Sequence, residues 1–384
     1  MKSIRSVPIW FAGALLLVSC GATDEAGPES LLAPVEVQQR GSFSELDRDS
    51  IRLSPDGSQL AFLAPFEGVT SLWLAPAGDL DAARAVTAST EPVEGLWWSY
   101  SGRHILFRHG EGSAQSGRIA ALSIATGEST VLTPAERQAQ LVHLSPSNPD
   151  SVVVAVAGEA DGAHDLVAID IESGEQALLA ENEPFAAWGV DDDLDLRLAF
   201  ESTDDGGLRV RKKAEIGEWA DFSWVPTEDA AHTRFLGFDA DALQAYFLDS
   251  RGRQTAALVA SDMTSGEARV LFQDPTADVI DVLVHPVEKT VQAVASAHKQ
   301  RQWRVLDEAV RADLRTLQEL SSGDLEIIDR SLDDTVWLAA IAPFDAPRRF
   351  YRYDRGNRGS ELLFVGRPGA ELAKTSLATV PSAQ

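Results

Sequence analysis

The sequence predicts an all-β protein, a seven-bladed β-propeller of four-stranded antiparallel blades. Three observations carry this prediction. A polar turn between two apolar strands recurs seven times, a glycine-containing turn recurs at the same period, and the strands beside both turns are short. Short antiparallel strands that repeat every ~40–50 residues are typical of propeller blades.

The first kind of turn is seen in the stretch IRLSPDGSQLAFLAP, residues 51–65. Its seven examples begin at residues 54, 99, 145, 192, 239, 285 and 331, so neighbouring examples lie 45 to 47 residues apart. One blade cannot bury both of its faces alone, and the blades must therefore stack around an axis. We expect the propeller to occupy residues 47–368.

The second kind of turn divides the other half of each unit. It reads Thr126-Gly127-Glu128, Ser173-Gly174-Glu175 and Ser265-Gly266-Glu267, and each example lies between two apolar strands. Glycine is favoured in such turns because a positive φ costs it little. Each unit is therefore predicted to contain strand, turn, strand, loop, strand, turn and strand.

The sixth unit departs from this pattern. Between residues 305 and 320 the apolar residues fall at helical spacing, which predicts one short helical insertion in a loop of blade six. The residues on this apolar face are Leu306, Val310, Leu314, Leu317 and Leu320. Packing against the blade and a groove for a partner are both open interpretations of this face.

Residues 1–19 are typical of a lipoprotein signal peptide. Lys2 and Arg5 precede an apolar run over residues 7–18, which is too short to span a bilayer as a mature helix. The run ends in Leu-Val-Ser-Cys, which resembles a bacterial lipobox, and Cys20 is the one cysteine of the chain. We therefore expect Cys20 to be lipidated and to attach the protein to a bilayer. The alternative is a secretory signal with an incidental cysteine.

Residues 20–46 are rich in proline, serine, alanine and glutamate, which predicts a flexible tether behind the lipidated cysteine. Residues 369–384 are expected to form a C-terminal tail. Position 21 is glycine rather than aspartate, which resembles lipoproteins sorted to the outer membrane, facing the periplasm, of Gram-negative bacteria. The predicted location is the cell envelope.

The charge of the chain limits its partners. The formal net charge is -26 and the isoelectric point is about 4.6. Such an acidic surface repels phosphate backbones, so nucleic acid is excluded as an expected partner.

The order of several stretches resembles one family. These are LSPDGSQLAFLAP, VTSLWLAP, GLWWSYSGRHILFRH, FAAWGVDDDLDLRLAF, LVHPVEKTVQAVA and the closing FVGRPGAELAKTSLATVPSAQ. Together they resemble the N-terminal propeller of bacterial prolyl oligopeptidase-type serine peptidases over about residues 50–380. The resemblance implies a propeller that restricts access to an α/β-hydrolase domain, whose serine lies in a Gly-x-Ser-x-Gly turn. We expect the sequence to end about where that domain begins.

No catalytic residue, metal ligand or cofactor is predicted from the residues. None of the serines lies in a Gly-x-Ser-x-Gly turn, and none of the seven histidines has a second ligand at zinc spacing. The acidic run at 191–195 lacks the glycine and glutamate of a calcium loop and is interpreted as a solvated turn. Residues that could contact a ligand in the channel are Trp97, Trp98, Trp188, His143 and His285, and packing or turn roles are the alternative.

These observations favour a non-catalytic, membrane-anchored propeller that binds peptides or a partner protein, with no cofactor. The partner could be a separately encoded hydrolase or another envelope protein. Two alternatives stay open: an envelope scaffold propeller, and a truncated peptidase whose hydrolase domain is missing or separately encoded. A separate hydrolase chain would discriminate between them.

Lipidation of Cys20 is testable directly. Replacing it in the variant Cys20→Ala should abolish incorporation of labelled palmitate and release the protein from membranes of a Gram-negative host, because the acylated thiol is lost. The variant Ser19→Ala keeps a small residue before the cleavage site and should remain labelled. Equal labelling of both variants would contradict the lipobox interpretation.

Overall fold

The computed structural model describes residues 50–87, 91–109, 117–134, 136–158, 163–214, 218–343 and 346–366. In these residues the chain forms seven antiparallel sheets in chain order, and neighbouring strands in each sheet are also neighbours in sequence. The prediction of a seven-bladed propeller is confirmed. The signal peptide, Cys20, the tether and the C-terminal tail lie outside the described residues.

The strands divide evenly among the sheets, with one exception. The first three sheets contain β1 (Ile51–Leu53), β2 (Gln59–Phe66), β3 (Val69–Pro76) and β4 (Arg84–Ala85); β5 (Val93–Trp98), β6 (His104–His109), β7 (Arg118–Ser123) and β8 (Ser129–Val131); and β9 (Ala139–Leu144), β10 (Ser151–Ala157), β11 (His164–Asp170) and β12 (Gln176–Glu183). The fourth and fifth contain β13 (Ala187–Val190), β14 (Leu196–Ser202), β15 (Leu208–Lys213) and β16 (Trp219–Val225); and β17 (Arg234–Phe238), β18 (Gln244–Asp249), β19 (Ala257–Asp262) and β20 (Ala268–Phe272). The sixth and seventh contain β21 (Val279–Val284), β22 (Val291–Ala297) and β23 (Arg301–Val305); and β24 (Asp324–Arg330), β25 (Val336–Ala342), β26 (Arg349–Asp354) and β27 (Gly359–Val365). The helices are α1 (Thr227–Ala230) and α2 (Arg311–Glu319).

The first strand of each sheet lies nearest the axis. Contacts between different sheets join β1 to β5, β9 to β13, β13 to β17 and β1 to β24. Because the strands alternate in direction, the turns after the first and third strands lie on one face of the ring, here named the turn face. The remaining loops lie on the opposite face. Since β1 starts there and β27 ends there, that face is named the chain-end face.

The repeated turn is a tight hydrogen-bonded hairpin. In the first sheet Ser54 N donates to Gln59 O at 2.9 Å, and Gly57 N donates to Ser54 O at 2.9 Å. Gly57 has φ +72°, and a Cβ there would lie 2.9 Å from Cβ of Val336 in the seventh sheet. Glycine is therefore required at this turn by both backbone conformation and space.

The ring closes between the first and seventh sheets. Side chains of both sheets form one buried cluster that includes Ile51, Phe62, Val336 and Phe350. The seventh sheet obtains all four strands from the end of the described chain, and β27 pairs with β26. No strand is shared between the two sheets in the described residues.

Two hydrogen bonds donated by backbone N–H groups support this closure. Leu53 N donates to Asp329 Oδ2 at 3.0 Å, and Leu332 N donates to Pro55 O at 2.7 Å. Burial raises the pKa of Asp329 although the charge of Arg52 and the backbone N–H donors of Arg330 and Leu53 act in the opposite direction.

The sixth sheet has three strands in the described residues, and α2 follows its third strand. The predicted helical insertion is present, and it follows the third strand at the point in the chain where the other sheets continue into a fourth strand. Val310, Leu314 and Leu317 are buried in a cluster with Trp337 and Tyr353 of the seventh sheet. The apolar face therefore packs within the propeller, whereas Leu306 is 43% exposed and does not belong to it.

A polar network fixes α2 to the seventh sheet. Asp313 Oδ1 accepts from Tyr353 Oη at 2.8 Å, and Asp313 Oδ2 accepts from Arg355 Nε at 3.0 Å. Arg355 Nη1 also donates to the backbone oxygen of Asp334 at 2.9 Å. Because Asp313 is buried, these donors are what makes a carboxylate tolerable there. Within the described residues, none of the helices has the length and apolar character needed to cross a bilayer.

Because the ring closes through side-chain packing, we expect Phe350→Ala to lower the stability of the propeller strongly. Phe350 is fully buried and stacks on Phe364 with ring centroids 4.3 Å apart, so its removal should lower the free energy of unfolding by about 3–5 kcal/mol. Leu362 of the same sheet is 50% exposed, and Leu362→Ala should cost less than about 1 kcal/mol. Urea titration measures both. A similar loss of unfolding free energy in Phe350→Ala and Leu362→Ala would show that closure does not depend on this buried cluster.

The polar network between α2 and the seventh sheet should stabilise the fold less at alkaline pH. Burial, with the hydrogen bond to Asp313, raises the pKa of Tyr353 from 10.0 to about 12. Since the folded pKa lies above the unfolded one, the stabilisation is complete below pH 10.0 and is lost as the pH rises through about 12. The difference in unfolding free energy between wild type and Tyr353→Phe should therefore be constant below pH 10.0 and shrink above it. A difference that stays constant up to about pH 12 would contradict this assignment.

Candidate functional site

A cavity of about 460 Å³ opens at the centre of the propeller. It is lined by the ends of inner strands and by turns of the second to sixth sheets, which places it on the axis at the turn face. One wall is apolar and aromatic, and the other is charged and polar. The aromatic wall includes Trp188, Phe235 and Phe238, and the polar residues include Tyr100, His143, Asp192, His285 and Lys289.

An ion pair crosses the cavity between sheets that are not neighbours. Lys289 Nζ in the sixth sheet lies 3.1 Å from Asp192 Oδ2 in the fourth sheet. The same carboxylate accepts through Oδ1 from Nε2 of His143 in the third sheet, at 3.2 Å. Lys289 has φ +54°, and this left-handed turn conformation places a residue of the sixth turn at the cavity. Three sheets are thus joined across the opening.

Asp192 is ionised in this arrangement. Burial alone would raise its pKa, but the hydrogen bond from His143 and the positive charge of Lys289 outweigh burial and lower the pKa. The interpretation of the acidic run at 191–195 as a solvated turn is therefore wrong for its first two residues. Asp191 is buried and caps the turn by accepting from the backbone N–H groups of Asp193 and Asp195, because the turn needs an acceptor there.

Tyr100 supplies a neutral hydroxyl to the same cavity. Burial raises its pKa to about 12, with smaller contributions from the charges of Asp329 and Asp192. The cavity therefore combines a carboxylate, an ammonium group, a phenol and aromatic rings. Such a set can bind a short peptide, because the charged pair matches peptide termini and the rings match an apolar side chain.

The two predicted histidines both line the cavity, in different roles. His143 is hydrogen-bonded to Asp192 as described above. His285 caps its own turn, since its Nδ1 accepts from the backbone N–H groups of Val287 at 3.3 Å and Glu288 at 2.9 Å. Its Nε2 lies 4.0 Å from Asp334 Oδ2.

The three predicted tryptophans are separated by the structure. Trp188 lines the cavity although it is 8% exposed. Trp98 is buried against the first sheet and its Nε1 donates to Arg52 O at 3.4 Å, whereas Trp97 packs with the cluster of the second and third sheets. The two faces of an inner strand thus contact neighbouring sheets, and neither of these two rings lines the cavity. Ligand contact by any of these residues stays a prediction.

Sequence reasoning missed Tyr100, Asp192 and Lys289 as cavity residues. Each lies in or beside a repeated turn, and this position is the one signal that could have identified them. Turn position predicts proximity to the turn face, but it does not predict which side chains point to the axis.

Ser145 lies beside two cavity residues, His143 and Asp192, but does not form a nucleophilic site with them. Ser145 Oγ donates to the backbone oxygen of Asp192 at 2.5 Å and accepts from the N–H groups of Ser147 and Asn148. Ser145 is fully buried, so its hydroxyl is a turn cap without access to a substrate. No cluster of three metal-ligating side chains occurs in the part of the chain that the structure describes.

Comparison with known proteins gives relatives that are longer than this chain. The chain matches no family model. It is 36% identical over 332 residues to dipeptidyl aminopeptidase BIII of Pseudoxanthomonas mexicana, covering 86% of this chain and 48% of the relative. It is 27% identical to dipeptidyl peptidase family member 6 of Caenorhabditis elegans, covering 87% and 47%. The chain spans about half the length of the curated relatives it matches.

Solved structures show the same fold. A structure from a study of two prolyl endopeptidases has a TM-score of 0.57 at 11% identity, covering 82% of this chain and 49% of that one. Prolyl oligopeptidase B from Galerina marginata has a TM-score of 0.55 at 10% identity, covering 83% and 52%. With the ordered turns, the seven sheets and the identity to the dipeptidyl aminopeptidase, these matches show that this chain corresponds to the N-terminal propeller part of prolyl oligopeptidase-type serine peptidases, about half of their length.

Proposed function

We propose that this chain is a non-catalytic, lipid-anchored propeller that binds peptides at its turn-face cavity and controls their access to a hydrolase. The relatives named dipeptidyl aminopeptidase and dipeptidyl peptidase support peptides as the ligand class. The single observation that carries the proposal is the ion pair of Lys289 with Asp192, which crosses the axial cavity.

The charges of the cavity define how a peptide would bind. The N-terminal ammonium group of a peptide has the same charge as Lys289, so the two compete for Asp192. The aromatic wall then contacts the first side chains of the peptide. Lys289 has 19% and Asp192 has 17% of its side chain exposed, so their attraction is less screened than that of a surface pair. A peptide must displace this pair to enter, which is what makes the cavity selective.

The topology of the sheets supports a position for the hydrolase on the chain-end face. The first and last strands begin and end on the chain-end face, so a domain continuous with this chain would lie there, opposite the cavity mouth. Peptides that enter at the turn face would reach it along the axis. In this proposal the acylated Cys20 attaches the protein to the envelope.

Removal of the competing charge should strengthen peptide binding. In Lys289→Met the apolar stem is kept and the ammonium group is lost, so a tetrapeptide with a free amino terminus should bind about tenfold more tightly, roughly 1.4 kcal/mol. The N-acetylated tetrapeptide should not gain, and Asp192→Asn should abolish the gain. Isothermal titration calorimetry with the mature chain measures the affinity of each variant for each peptide.

The exposed control Lys299→Met lies outside the cavity and should bind like wild type. Equal gains for free and acetylated peptides, or no binding of either, would contradict peptide recognition at Asp192. The link to a hydrolase has its own test, which is the DNA beyond the codon for Gln384 and the adjacent frames. A frame with Gly-x-Ser-x-Gly supports it, and unrelated sequence argues for a self-sufficient binding protein.

A further inference from the structure

The outer edge of the sixth sheet is unlike that of the other six sheets. Those sheets have four strands, whereas β23 is the last strand of the sixth, and no strand pairs with its outer edge in the described residues. An unpaired edge presents a row of backbone donors and acceptors to another chain. This edge is therefore where a further strand can add to the propeller.

The register of β23 shows which backbone groups face outward. Leu306 N donates inward to Gln292 O at 2.9 Å, so the alternate residues before it turn their backbone groups away from β22. Arg301 N follows this rule, because it donates outward to Asp324 Oδ1 at 2.7 Å. By the same alternation, the N–H and C=O groups of Trp303 and Val305 point to the open edge.

A groove of about 350 Å³ lies beside this edge, between β20 and α2. Three exposed arginines line it, namely Arg304 on β23 and Arg311 and Arg315 on α2. Arg311 is paired with Glu308. Arg304 and Arg315 make no ion pair within the described parts of the chain, although the protein has 59 acidic and 33 basic residues.

The one carboxylate of the groove is already partnered. Asp274 accepts from Thr276 N at 3.0 Å and from His298 Nε2 at 2.8 Å, and these bonds lower its pKa to about 2. Asp274 is therefore ionised, but its charged contact is with His298, and it makes no ion pair with an arginine of the groove in the described residues. The groove is a basic strip on an acidic protein, and it lies next to the unpaired outer edge of β23.

We propose that this groove is a strand-acceptor site for an extended acidic segment of a partner protein. The segment adds to the edge of β23 through backbone hydrogen bonds, as the missing fourth strand of the sixth blade. Its acidic side chains, at alternate positions, pair with Arg304 and Arg315. The site lies on the rim of the propeller, so it is independent of the axial cavity and of the peptidase proposal.

The test uses the mature chain and a capped peptide, TEVEVEVT, with the counterpart TQVQVQVT. At low salt the acidic peptide should bind at least about tenfold more tightly than the glutamine peptide, because a carboxylate forms charge-assisted hydrogen bonds with arginine and a neutral amide does not. The double variant R304E/R315E should bind the acidic peptide more weakly than wild type by a similar factor. Arg84 is an exposed arginine on the outer strand of the first sheet, and R84E should bind like wild type.

Backbone pairing has a separate readout. Two versions of the acidic peptide carry N-methyl groups, one on the odd-numbered and the other on the even-numbered residues. In each version the N–H donors of one edge of the extended peptide are blocked, so only the other edge can pair with β23. One version should bind and the other should not. Binding of both versions, or the same loss in R84E, would overturn the proposal in favour of non-specific charge attraction. Equal binding of the glutamine peptide would overturn it by showing that Arg304 and Arg315 do not select acidic side chains. Binding that appears only after residues 20–46 are removed would overturn it in favour of the chain's own segment.

Discussion

The packing of the first sheet against the seventh is the contact on which the ring depends. Each sheet has two apolar faces, and a stack of seven leaves one face exposed at each end unless the ends meet. Here they meet through Phe62 and Ile51 on one side and Val336 and Phe350 on the other. No shared strand locks the join in the described residues, so side-chain burial, with two hydrogen bonds donated by backbone N–H groups, provides closure.

Closure also creates the axial cavity. The inner strands converge because each sheet is wedged between its neighbours, and the repeated turns then surround the axis on one face. His143, Asp192 and Lys289 come from three different sheets and meet there. A charged pair in such a half-buried place loses hydration and is stable only with its partners, so it acts as an ordered barrier. The same groups give the cavity its expected preference for a charged peptide end.

The sixth blade shows how a propeller accommodates a departure from its repeat. A helix fills the wedge beside the seventh sheet through Leu314 and Leu317, and its buried Asp313 is satisfied by Tyr353 and Arg355. Burial of the apolar surface is therefore preserved without a fourth strand. The backbone edge of β23 is not satisfied by this arrangement, because a helix supplies side chains rather than a ladder of backbone groups. The basic groove follows from that difference.

The number of blades, the place of the hairpins and the position of the helix could all be predicted from the amino-acid sequence. These features are local, because each turn needs particular residues such as Gly57 and each strand needs a short apolar run. The resemblance to a lipobox at Cys20 is equally local, and lipidation of Cys20 stays a prediction. The opposite directions of Trp97 and Trp98 were also predictable from strand alternation.

Which residues form the cavity could not be predicted from the sequence and is seen only in the tertiary structure. Lys289 and Asp192 lie in turns of different blades, and their contact depends on the closed ring rather than on any neighbouring residue. Tyr100 carries no local signal for the axis, and Trp97 lies on an inner strand yet packs between blades. Strand patterns and turn chemistry depend on a few neighbouring residues. The meeting of side chains at the axis depends instead on the packing of all seven sheets.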